Sequence, residues 1–145
     1  MTPALPLHYR PSLVALHWLT LLLLVAVYAC IELREFVPRG TDLRRSLKDW
    51  HFALGLVVFA VTLVRLALRA SSKAPPIIPP PPAWQQWLAR LVALLLYAML
   101  LALPVLGYLM RNADGHAVLL WGLELPLLIA ENPSLAGRME ELHET

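Results

Sequence analysis

Residues 13–33 run through leucine, valine, alanine and isoleucine, with His17, Trp18, Thr20, Tyr28 and Glu32 as the main interruptions. A stretch of about 20 apolar residues has one favourable fate, a helix across a lipid bilayer, because hydrocarbon offers nothing to backbone polar groups left outside a helix. The pattern returns at about 49–69, whose centre, 52–64, carries no charge and whose end holds Arg65 and Arg69 one turn apart. It returns again at about 86–110, beside Trp84 and Trp87 and including Tyr97 and Tyr108. Pro11 and Ser12 suit entry to the first helix, and Pro104 with Gly107 predicts a kink late in the third. The chain is 59% hydrophobic and 15% charged, whereas a soluble domain has roughly 45–50% and about 25%.

The connections are legible too. Residues 34–48 are polar, with Pro38 and Gly40 breaking the periodicity. Residues 74–83 read APPIIPPPPA, an extended polyproline strap that no helix can absorb. After Arg111 the apolar residues scatter; 117–130 is too short and broken to span and reads as an interfacial loop. From about residue 134 a further helix begins, capped by Asn132 or Ser134. The fold class expected is therefore an all-α membrane protein, a transmembrane four-helix bundle. One domain over 1–145 holds three spans (about 13–33, 49–69 and 86–110) and the start of the fourth, which is expected to continue past Thr145. VYAC at 27–30 faintly resembles a lipoprotein box, but the apolar run before it exceeds the about 7–15 residues of a signal peptide, so an uncleaved span is expected. No basic run points to nucleic acid, and Cys30, without a partner, excludes a disulfide framework or thiolate metal site.

The five histidines are not equivalent. His17 lies inside an apolar span, where an imidazole is costly and usually faces the bundle interior for a functional reason. His51 begins the second span at the opposite membrane face, with Gly55 one turn further along the same helix face, where a missing side chain clears room for a flat macrocycle. His143 lies on the new helix, on the same side as His51, whereas His8 and His116 read as surface residues. Structural zinc asks for three or four ligands at short spacing. Single histidines on separate helices instead match six-coordinate haem, one imidazole from each of two facing helices. His17, His51 and His143 are thus the candidate metal ligands, Gly55 a cofactor-contact residue, and no residue is nominated as catalytic. His51 and His143 can clamp one haem; His17 awaits a partner about four turns into the fourth helix.

The chain resembles the bacterial cytochrome b561 family, the four-helix dihaem membrane cytochromes that include superoxide oxidase. The resemblance rests on LHWL at 16–19, REFVPR at 34–39, WHFALG at 50–55, VRLALR at 64–69, PPIIP at 75–79, LY at 96–97 with LPVLG at 103–107, and LHET at 142–145. It implies that His17, His51 and His143 are haem ligands and that the complete protein carries two b-type haems, one of them fully ligated within this chain. Some relatives carry histidines early in the third span, where this chain has Arg90 and Ala93.

The resemblance further implies electron transfer between the quinone pool and a periplasmic donor or acceptor, from a multi-pass position in the bacterial inner membrane. In the superoxide oxidase members, superoxide is the donor and ubiquinone the acceptor. The basic residues Arg34, Arg39, Arg44, Arg45 and Lys48, on the His51 side, could draw an anion toward that haem. Two alternatives stand beside this reading: a haem-bearing anchor subunit serving a redox partner such as a dehydrogenase or hydrogenase, and a non-haem helical scaffold with histidine relays. Seven of the twelve basic residues fall on the tail side with all ten acidic ones, so Lys and Arg counts do not favour the strap side as cytoplasmic. The remaining net charge and the resemblance favour it.

Overall fold

A computed structural model describes residues 8–144. Thr145, the last residue of the 142–145 motif, lies outside them. Among these residues four helices form in order, α1 (Pro11–Glu35), α2 (Asp42–Ala70), α3 (Ala83–Ala113) and α4 (Pro133–Glu144). The first three are long and apolar enough to cross a membrane. Two two-residue strands, β1 (Leu119–Leu120) and β2 (Leu123–Glu124), pair antiparallel between α3 and α4.

The packing is that of a bundle turned toward lipid. α1 lies along α2, α2 along α3, and α3 along α4, whereas α1 and α3 do not meet, nor do the backbones of α2 and α4. Few side chains are buried; Ala53, Val58 and Thr62 of α2 and Leu13 and Thr20 of α1 are the chief ones in the first helical pair. Leu22, Val25, Leu94 and Leu95 point outward. In water so much exposed apolar surface would drive association; a bilayer covers it. Thr20 satisfies its hydroxyl inside the apolar span by donating to the Leu16 carbonyl at 2.6 Å, the back-bond open to a helical threonine.

Helix α2 reaches two turns beyond its apolar span, because its polar start is helical from Asp42 onward. Thr41 caps it, its hydroxyl accepting from the Arg44 N–H at 3.3 Å, and Asp42 complements the positive end of the helix dipole. The α1–α2 turn is closed by Arg44, whose guanidinium donates to the carbonyls of Arg34 and Val37 and to Glu35. Three of the five N–H donors of this arginine therefore serve the fold.

Between α3 and α4, the segment expected as an interfacial loop holds the hairpin β1–β2. Its register pairs Leu119 with Glu124 and Leu120 with Leu123, leaving Trp121 and Gly122 as the two-residue turn, both at positive φ (49° and 88°). Such turns need left-handed backbone, which normally reads as Asn-Gly or Asp-Gly; tryptophan in the first position hides the signal. Asn112, fully buried, anchors the far limb by accepting from the Leu128 N–H at 2.8 Å, and the Asn132 N–H donates to the Ala113 carbonyl at 2.8 Å. Asn132, rather than Ser134, caps α4, its side-chain oxygen accepting from the Leu135 N–H at 3.1 Å.

Candidate functional site

His51 projects from α2 toward α4, and His143 projects from α4 toward α2. Their ring centroids stand 6.1 Å apart with the planes at 77°. A metal bound end-on by two imidazoles at about 2.0–2.1 Å each sets their centroids about 6 Å apart, so this separation fits one ion between the rings. The two helix backbones stay apart, and the rings reach across the gap.

The nitrogen chemistry at His51 also fits. Its Nδ1 lies 3.0 Å from the carbonyl oxygen of Val27 on α1. A carbonyl can only accept, so Nδ1 carries the proton and Nε2 keeps its lone pair. That is the tautomer of a metal-bound histidine, whose other nitrogen donates to an orienting acceptor. His143 Nδ1 is buried without a hydrogen-bond partner, although the Leu103 carbonyl is near enough to act on its charge.

Glycine matters here at Gly107 of α3. A Cβ built there would lie 3.3 Å from His143 Cε1 and 3.8 Å from Phe52 Cε1, so glycine is what lets α3 approach the ring. Gly55, the sequence candidate, has nothing within 4 Å of its would-be Cβ; that face is open, and no protein atom demands glycine there. The sequence placed Gly107 only as a companion of the Pro104 kink, since which helix faces which ring is not written in a local pattern. Phe52 packs edge-on to His51 at 5.9 Å and carries the Arg111 guanidinium 5.6 Å above its ring.

At the opposite end of the bundle His17 keeps different company. Arg65 of α2 brings its Nη2 to 3.1 Å from His17 Nδ1 and its guanidinium to 5.6 Å from the Tyr97 ring centroid. A guanidinium only donates, so here Nδ1 accepts and the neutral ring carries its proton on Nε2. That is the reverse of a metal-ligating tautomer; a metal at His17 requires Arg65 to turn away. These residues line a cavity of about 210 Å³ in the gap between α1 and α3, walled by Thr20, Leu21 and Leu24 on one side and Leu96 and Leu100 on the other.

The structure thus brings His51 and His143 together and leaves His17 apart from them, ten residues and so about three turns along α1 from Val27, whose carbonyl meets His51. His116 hydrogen-bonds within its own turn, to the Asp114 carbonyl at 2.7 Å, and both it and His8 are exposed. The basic residues before His51 shape a second cavity of about 190 Å³ lined by Arg34, Gly40, Thr41, Arg44, Arg45 and Lys48. Arg34 and Arg44 share Glu35, at 3.5 and 3.1 Å, and Arg45 reaches Asp42 at 3.4 Å.

The family model for prokaryotic cytochrome b561 matches residues 8–145. The chain is 33% identical over 137 residues to "Cytochrome b561 homolog 1" of Escherichia coli (strain K12), covering 94% of this chain and 78% of that protein. It is 29% identical over 130 residues to "Probable superoxide oxidase CybB" of Yersinia pestis, covering 90% and 73%. A second Escherichia coli (strain K12) protein, "Cytochrome b561 homolog 2", is 24% identical over 139 residues, covering 95% and 74%.

Proposed function

Given that the chain belongs to the prokaryotic cytochrome b561 family, we propose that it passes electrons between the quinone pool and a periplasmic donor or acceptor across the bacterial inner membrane. Membership carries the coarser part: the chain is a multi-pass bacterial membrane protein, a b-type haem cytochrome of electron transfer. The ligand assignment within it is supported by one observation, the 6.1 Å approach of the His51 and His143 rings across two helices whose backbones stay apart.

In this reading, 1–145 is one cytochrome domain and His51 and His143 would hold one haem between them. The Val27 carbonyl orients His51 and raises its basicity. Gly107 sets how near α3 comes to His143, and the open face at Gly55 leaves room for the macrocycle edge. His17 would hold a second haem at the other depth, with Arg65 turned away from its Nδ1. Haem supplies one-electron exchange between ferric and ferrous iron, with the potential tuned by these ligands and by burial. The protein positions the group and controls access to it.

For substrates, we take superoxide as the donor and ubiquinone as the acceptor, supported by the Yersinia pestis relative's description as a probable superoxide oxidase. The basic cavity beside His51 would attract such an anion. Arg44 contributes less than its charge suggests, because its guanidinium is held by two carbonyls and Glu35.

Reduced-minus-oxidised spectra of purified protein test the haem reading. The wild type gives sharp low-spin α bands, and His51→Ala and His143→Ala each remove one haem's share of them. Unchanged bands in both variants would defeat the assignment. Purified protein supplied with a superoxide generator and ubiquinone reduces the quinone if the substrate reading holds. Haem bands without quinone reduction point instead to an anchor subunit that needs a protein partner.

A further inference from the structure

Two cations stand unanswered beside the His51–His143 pair. Lys48 is half-buried on α2, three residues and so about one turn before His51 on the same face. Arg111 is half-buried on α3, four residues and so about one turn beyond Gly107, which touches His143. Each therefore lies one turn toward the same membrane face from a residue that holds or touches the ring pair. Among the described residues neither has a carboxylate within 4.0 Å or a hydrogen-bond partner; Arg111 has only the Phe52 ring beneath it. Lys48 is also close enough to Arg111, and to Arg34, for mutual repulsion. Asp114 and Glu140 act on Lys48 only from beyond ion-pair distance; half-buried like charges with no carboxylate in contact are costly, and an anion seated between them relieves that cost.

We propose that Lys48 and Arg111 bind the two propionate carboxylates of the haem carried by His51 and His143, with Arg34 as the neighbouring cation that reinforces the field. The inference rests on the ligand assignment proposed above. Two unpaired cations meet two carboxylates, so the charges balance without drawing on the loop's other ion pairs. The arrangement also fixes which way round the macrocycle enters, acidic edge toward the loop and hairpin, vinyl and methyl edge toward the apolar interior. Arg44, tied to two carbonyls and Glu35, and Arg45, paired with Asp42 at the surface, are not available for this task.

The test uses full-length protein in detergent, produced without haem and carrying His17→Ala, so that only the His51–His143 site takes up the group. It is titrated with haem b and with haem b dimethyl ester, which differs only in lacking the two negative charges. The unaltered cation pair should favour the free acid by about tenfold or more, the fold-change of a charge-assisted hydrogen bond. In Lys48→Gln/Arg111→Gln the preference should vanish while the low-spin bis-histidine spectrum is kept; Lys48→Arg should retain it. Equal binding of the two haems by protein with both cations, or a preference that survives the double substitution, overturns the proposal and leaves the cations to another anion. If the double variant binds neither haem, the single Lys48→Gln and Lys48→Arg proteins decide by whether the preference falls in the first and returns in the second. Low-spin haem that persists in His51→Ala would instead overturn the ligand reading.

Discussion

At the scale of single residues, the site turns on which atom donates. His51 gives its Nδ1 proton to Val27 and keeps Nε2 for a ligand, whereas His17 is made an acceptor by Arg65. The same side chain, equally legible in sequence, is thus presented in two opposite states by its neighbours. Arg65→Leu should therefore free His17, and haem retained at that site in the complete protein should rise or stay level, not fall; pyridine haemochrome quantification against protein mass reads this. Gly107 offers a sharper case. Gly107→Ala adds a methyl group 3.3 Å from His143 Cε1, which the ring must yield to by a few tenths of an ångström. Overpacking of this kind costs about 1–3 kcal/mol, so the thermal midpoint should fall and the low-spin bands tied to His143 should broaden or shift. Gly55→Ala, with nothing within 4 Å, should leave the stability of the haem-free protein unchanged. The histidines could be picked out from sequence because an imidazole in an apolar run is costly wherever it points. Gly107, Val27 and Arg111 could not, because their part is defined by a helix remote in sequence.

Among the elements, the helices follow from apolar length and the connections from breakers, but ends and turns depend on side chains that reach back. Helix α2 starts at Asp42 because Thr41 caps it and Arg44 ties its first turn to the end of α1. Replacing Thr41 by Ala should cost about 1 kcal/mol, the usual worth of such a cap, seen as a lower midpoint in thermal unfolding followed by circular dichroism. Gly122, at φ 88°, holds the hairpin turn. A Gly122→Val change places a β-branched residue in left-handed backbone, at a cost of order 1–3 kcal/mol. The hairpin should loosen, raising proteolysis in the 117–130 segment with little change in helix content. In sequence, 117–130 reads as an interfacial loop because its turn lacks asparagine or aspartate, and because strands of two residues leave no periodicity to detect.

Over the whole molecule, the arrangement predicts sidedness. α1, α2 and α3 alternate in direction, so the N-terminal side and the 71–82 strap share one membrane face, and the 36–41 turn and the hairpin share the other. With the strap side cytoplasmic, a Cys30→Ser protein carrying Lys73→Cys should resist a membrane-impermeant maleimide in intact spheroplasts. The same background with Gly122→Cys should be labelled; the reverse pattern would invert the topology. This orientation also puts the basic cavity and the His51–His143 pair nearest the periplasm, where an anionic donor would arrive.

The sequence by itself determined that this chain is a bundle of membrane-crossing helices and which histidines are worth following. Both conclusions rest on transfer free energies that a residue carries with it, whatever its neighbours. Only the tertiary structure decided that His51 meets His143, that His17 is held by Arg65, and that Lys48 and Arg111 lie unpaired above the ring pair. Those facts depend on the rotation and register of packed helices. In lipid, register is fixed by small contacts such as Gly107 against His143, and no apolar periodicity records it.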